Sequence, residues 1–140
     1  MRLVSWNCNG ALRKKFAELQ TLEADIYIVQ ECEDPKRCSD GAYSEWAQNA
    51  LWIGGSKSRG LGVFARPELV LTEMQFDAKG LELFLPFKVN DTVSILAAWT
   101  KEAGSPTFKY IGQLWKYLQL HADYLSAGKS ILIGDLNSNV

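Results

Sequence analysis

Leu3-Val4-Ser5-Trp6-Asn7-Cys8-Asn9-Gly10 opens the chain with an apolar run that stops on Asn, Cys and Asn before a glycine. The run predicts a β-strand over residues 2 to 7. Asn-Gly by itself favours a hairpin. Here Leu12, Phe16 and Leu19 follow at spacings of four and three, with Arg13, Lys14, Lys15 and Glu18 on the opposite face, so the turn leads from strand into helix. A second strand over 25–30 carries Ile26-Tyr27-Ile28-Val29 through Gln30 into Glu31, completing a β-α-β unit with adjacent parallel strands. At the far end Ile131-Leu132-Ile133 runs likewise into Gly134-Asp135-Leu136-Asn137. Three buried-type strands that end in Asn, in Glu and in Asp with Asn gather hard oxygen donors from distant sequence. Small divalent cations favour such donors and leave coordination positions open to phosphate oxygens. The pattern points to phosphate-ester chemistry.

Between these ends, Pro35, Ser39 and Gly41 mark a loop over 33–41, and 42–48 reads as a short helix. Strands are expected near 50–53, 61–65, 69–75, 81–88 and 92–99, from Trp52-Ile53, Val63-Phe64, the Leu81/Leu83/Leu85 alternation and Val93-Ile95. Gly54-Gly55-Ser56-Lys57-Ser58-Arg59-Gly60 reads as a flexible basic loop. It offers Lys57 and Arg59 to substrate phosphates. Phe108, Ile111, Trp115, Leu118, Ala122 and Leu125 trace one face of a long helix that Gly128 can end, and 130–133 is the last strand.

With 140 residues and 47% hydrophobic content, the chain can bury a core as one α/β domain over 1–140. Fifteen basic and sixteen acidic residues are mixed along it, so no long-range electrostatic trap for nucleic acid is visible. Cys8, Cys32 and Cys38 are odd in number and lack paired metal spacing, which suits free thiols in a reducing compartment. The N-terminal apolar stretch is too short and too polar for a signal peptide, and no run approaches a membrane span. The cytoplasm is the expected location, with no membrane partner.

Two tempting motifs fail. Asp135-x-Asn137-x-Asn139 imitates the start of a calcium loop, yet Val140 stands where that loop needs Gly. Gly128-Lys129-Ser130 imitates the tail of a P-loop but lies between helix and strand, with Asp123 at the earlier glycine position. The single histidine, His121, falls on the amphipathic helix beside Leu118 and Leu125 and reads as structural.

The set Ser5-Trp6-Asn7-Cys8-Asn9-Gly10, then Gln30-Glu31, then Gly134-Asp135-Leu136-Asn137 resembles the endonuclease/exonuclease/phosphatase superfamily, in the family's order and across the whole chain. The resemblance implies a four-layer αββα sandwich with mixed β-sheet, of which this chain supplies the first half and the opening helix and strand of the second. It implies Mg²⁺ or Mn²⁺ as cofactor, with Glu31 as the main metal carboxylate and Asn7 at the metal and phosphate site. Asp135 would orient or deprotonate the attacking water, and Asn137 would hold the phosphate. Asn9 stands where many relatives have a second acidic residue, so any metal contact there would be neutral and weaker, and Asn9 is expected among the substrate contacts. Gly60-Leu61-Gly62-Val63-Phe64 is similar to the family's core strand. Phosphodiesters of DNA or RNA are the expected substrates, with a small-molecule phosphatase or an inactive binding fragment as alternatives. Two departures stand out. Ala97-Ala98-Trp99-Thr100 is not followed by the Tyr of apurinic endonucleases, and the family's later Ser-Asp-His motif is missing. The resemblance therefore describes a C-terminally truncated domain, weak or inactive alone, that associates through an uncovered inner sheet face.

Overall fold

Strand β1 (Leu3–Asn7) and strand β2 (Ile26–Cys32) pair in parallel, Leu3 against Ile26 through Asn7 against Gln30. Between them Asn9, Gly10 and Ala11 all turn with positive φ, and the chain passes through a 3₁₀ turn (Leu12–Lys14) into helix α1 (Phe16–Gln20). The expected β-α-β unit is present. These features belong to a computed structural model that describes residues 1–101 and 110–137.

Helix α2 (Gly41–Trp46) starts where Asp40 caps it by accepting from the Tyr43 N–H at 3.0 Å. Strands β3 (Ala50–Ser56) and β4 (Arg59–Ala65) then fold back as a hairpin, and β4 pairs antiparallel with β2. The first sheet has the order β1-β2-β4-β3. Strands β5 (Leu71–Glu73), β6 (Phe84–Val89), β7 (Val93–Trp99) and β8 (Ser130–Asp135) make the second in that order, with β7 and β8 parallel. Helices α3 (Ile111–Leu120) and α4 (Ala122–Ser126) connect them. This is the α/β partial sandwich with mixed sheets that the sequence predicts.

Residues two apart on a strand share a face, and that rule locates the core. Ile26 and Ile28 of β2 with Leu61 and Val63 of β4 meet Leu85 and Phe87 of β6 and Ile95, Ala97 and Trp99 of β7, all buried between the sheets. On the other face of the first sheet Tyr27, Val29 and Phe64 pack under Leu12, Leu19 and Tyr43 from the helical side. Behind the second sheet, Phe84, Leu96 and Ala98 are covered by Leu114 and Tyr117 of α3.

Three expectations need correction. The inner face of the first sheet is not uncovered, because the strands from β5 onward form a second sheet that buries it; association through that face is therefore ruled out. The supposed flexible loop 54–60 is mostly hairpin: β3 continues to Ser56 and β4 begins at Arg59, leaving Lys57 and Ser58 at the tip. Strand pairing takes up glycines that suggest looseness when read alone. The helix near the C-terminus breaks at His121, and its inward residues are Gln113, Leu114 and Tyr117, while Ile111 and Trp115 are 48% and 63% exposed. Phe108, placed on the same face by its spacing, lies outside the described residues, as do Ser138, Asn139 and Val140 of the rejected calcium loop.

Candidate active site

Asn7 ends β1 on the face that Leu3 shares with the inter-sheet core, and Asp135 ends β8 on the face of Ile131 and Ile133. The two therefore look at each other across the sandwich. Glu31 is different. Alternation along β2 would send it outward with Tyr27 and Val29. A bulge between Gln30 and Cys32 makes Glu31 the extra residue, at φ +63°, and Cys32 takes the outward place against Gly60. Bulges re-aim side chains in this way. The result is a junction on one amide: Asn7 Nδ2 donates to Glu31 Oε1 at 3.1 Å and to Asp135 Oδ2 at 2.9 Å.

The remaining polar atoms of the junction are also engaged. Asn7 Oδ1 accepts from the Asn9 N–H at 3.0 Å, so Asn7 enters the site as a donor that tethers two carboxylates. Arg59 forms an ion pair with Glu31 Oε2. Asp135 Oδ1 accepts from the Asn137 N–H at 3.2 Å, and Asn137 Nδ2 donates to the Thr100 carbonyl at 2.7 Å, which pins the turn after β8 to the end of β7. The Asn9 side chain is exposed beside the junction. Lys57 is exposed at the hairpin tip, where its carbonyl accepts from the Asp34 N–H at 2.9 Å.

Several contributors escape a reading of the sequence. Arg13 and Lys15 look like solvent-facing helix residues, yet both are half-buried and turned to the site loop. Lys15 Nζ donates to the carbonyls of Cys8 at 2.6 Å and Gly10 at 2.9 Å, holding the left-handed turn in place. Arg13 pairs with Glu33, whose other oxygen accepts from the Leu12 N–H at 2.8 Å. The only available signal was three basic residues, Arg13 to Lys15, just after Asn9-Gly10 with an acidic segment from Glu31 onward. Cys8 is buried, which pushes its thiol pKa up, and its Sγ donates to the Glu31 carbonyl at 3.4 Å, as suits a packed structural thiol.

Among the described residues no three His, Cys, Asp or Glu side chains cluster as a metal cage. Two carboxylates on one amide are nonetheless the donor set that a Mg²⁺-like ion uses, since it binds one or two protein carboxylates and keeps several waters. Glu31 and Asp135 could hold such an ion.

No family model matches the sequence, and no curated protein matches it. Solved structures do. The chain aligns over 98% of its length with a 3′-5′ exonuclease, NExo, from Neisseria meningitidis, at a TM-score of 0.64 and 19% identity. It aligns over 98% with an AP endonuclease from Archaeoglobus fulgidus (0.65, 15%) and over 99% with TDP2 from Caenorhabditis elegans (0.68, 16%). It has the endonuclease/exonuclease/phosphatase fold. The endonuclease/exonuclease/phosphatase chains are longer, and this one spans 58%, 57% and 48% of their respective lengths. The Neisseria protein has also been solved, as a 3′ phosphatase, bound to a product DNA hairpin. Within this fold the junction of Asn7, Glu31 and Asp135 unites the three segments on which the sequence resemblance rests.

Proposed function

We propose that this chain carries the catalytic half-site of a metal-dependent phosphoesterase, most of all a nuclease that cleaves phosphodiesters of DNA or RNA with water. The carrying observation is the single Asn7 amide that joins Glu31 to Asp135, a residue 128 positions away. Folding has no structural need to bring two carboxylates onto one nitrogen at a half-buried strand end, and like charges there repel. Phosphate chemistry does need them.

Glu31 and Asp135 would hold Mg²⁺ or Mn²⁺, which supplies Lewis-acid polarisation of the phosphoryl oxygen and stabilises the leaving oxyanion. Asp135 Oδ2 faces the junction, where it orients the attacking water and accepts its proton as the water oxygen bonds to phosphorus and the ester P–O bond breaks. Asn7 fixes both carboxylates. Asn137 holds the turn that carries Asp135, and its exposure at that turn leaves it free to contact the phosphate. Arg59 and the exposed Asn9 lie at the junction and supply contacts to substrate phosphates, with Lys57 at the exposed hairpin tip as a further cation for a longer substrate. The 3′ phosphatase name attached to the Neisseria structure favours a second substrate class, phosphomonoesters.

Isothermal titration tests the metal assignment: Glu31→Gln should weaken Mn²⁺ binding by at least about tenfold, and equal affinity would sink it. Weak Mg²⁺-dependent cleavage of nicked DNA and of a generic phosphodiester, lost in Asp135→Asn, is the expected activity of this half-site. Hydrolysis confined to phosphomonoesters would select the phosphatase reading instead.

A further inference from the structure

Glu31 and Arg59 form an unequal pair: the Glu31 side chain is 18% exposed and that of Arg59 is 54% exposed. Glu31 cannot turn away, because it is the bulge residue of β2 and its Oε1 is held by Asn7. Arg59 can. It is the first residue of β4, at the mouth of the hairpin, and its guanidinium lies over Gly10 of the site loop, where even a Cβ would come within 3.5 Å of Nη2. The guanidinium is thus an exposed cation seated on the outer oxygen of a fixed carboxylate.

The neighbouring pair shows what a permanent lock looks like. Glu33, with a side chain 9% exposed, pairs with Arg13 through one oxygen and accepts the Leu12 N–H with the other, so separating that pair strands a buried carboxylate. Separating Arg59 from Glu31 strands nothing, provided another cation takes the carboxylate. Exposed ion pairs contribute little to stability, so such an exchange is easy.

We propose, resting on the metal-dependent reading above, that Arg59 is an exchangeable counterion. It neutralises Glu31 until a divalent cation takes that carboxylate, and then moves to the phosphate of the substrate beside it. Arg59 thereby competes with the metal when phosphate is absent and assists both when phosphate is present. By linkage, a phosphodiester must then tighten metal binding as much as metal tightens phosphodiester binding.

The experiment is calorimetric titration of Mn²⁺, with and without dimethyl phosphate, into the wild type and the Arg59→Gln, Arg59→Lys and Glu31→Gln variants. Arg59→Gln should bind Mn²⁺ about fivefold more tightly than wild type in the absence of dimethyl phosphate. It should also lose the tightening that dimethyl phosphate gives the wild type, while Arg59→Lys retains both wild-type behaviours. Unchanged or weaker Mn²⁺ binding in Arg59→Gln, or phosphate coupling that survives the substitution, overturns the exchange. In either case loss of binding in Glu31→Gln leaves the metal site standing. Wild-type Mn²⁺ affinity in Glu31→Gln would instead remove the site itself and the exchange with it.

Discussion

On the outer side of the first sheet, Phe16, Tyr43, Trp46 and Phe64 stack in one layer, with the Trp46 and Phe64 rings 4.8 Å apart and those of Phe16 and Trp46 5.2 Å apart. Over the second sheet the cover is thinner. Phe84 and Tyr117 stack at 4.3 Å, yet Leu132 of the edge strand β8 is 39% exposed and Trp115 of α3 is 63% exposed. The proposed catalytic pair straddles this divide: Glu31 rides on a central strand buried on both faces, and Asp135 on an edge strand with one neighbour. Two carboxylates that must meet within a few ångströms are therefore anchored with very different firmness. The tether through Asn7 and the bond from Asn137 to Thr100 supply for Asp135 what packing supplies for Glu31.

The largest expected difference is in stability. Phe64→Ala removes a buried ring from the stacked layer and should cost about 3–5 kcal/mol, whereas Trp115→Ala should stay within about 0.5 kcal/mol. Chemical denaturation measures both, and equal losses would break the comparison. A smaller effect comes from one hydroxyl. Tyr43 donates to the Glu33 carbonyl at 2.7 Å, tying α2 to the segment after β2. Tyr43→Phe leaves that carbonyl unpaired and should cost about 1 kcal/mol, and an unchanged midpoint would show that the layer rests on ring packing alone.

The smallest effect is an acid-side one. The Asp25 carboxyl is held below the ordinary carboxylate range, first by the Arg2 backbone N–H and then by Arg66, which ties the starts of β1 and β2 to the end of β4. Asp77 is held low by Lys79, two residues away. A depressed folded-state pKa gives stability that is present above the ordinary value near 4 and is lost as pH falls through the lower folded value. Asp25→Asn should therefore flatten the acid limb of a stability–pH curve below about pH 4. Asp77→Asn should flatten it less, because a contact within one loop survives in the unfolded chain. The reverse order, followed by thermal melts from pH 2 to 6, would contradict that account.

Much of the fold was legible because its strands are short apolar runs with clear stops. Leu3 to Asn7, Ile26 to Cys32 and Ser130 to Asp135 all declare themselves, and Asn7, Glu31 and Asp135 at or next to their ends form the candidate site. The hairpin at Lys57-Ser58 was hidden, since Gly54, Gly55 and Gly60 mark loops locally but pair as strand under tertiary contact. The face of α3 was misplaced because Ile111 and Trp115 are as apolar as Leu114 and Tyr117, so hydrophobic spacing fits two faces. Nothing local distinguishes them. The roles of Lys15 and Arg13 depend on three successive left-handed residues that bend the chain back, which residue types alone do not announce. The inward aim of Glu31 depends on a bulge, and period-two reasoning would have pointed it the wrong way.

Gly134 takes φ +152°, and a Cβ there would overlap the Ala98 carbonyl oxygen across the β7–β8 ladder. It carries no side chain and no charge. A saturation library at this position should nevertheless return one residue, because every alternative pushes β8 away from β7 and carries Asp135 with it. In a deep mutational scan, position 134 would score like a member of the proposed site, through its backbone alone.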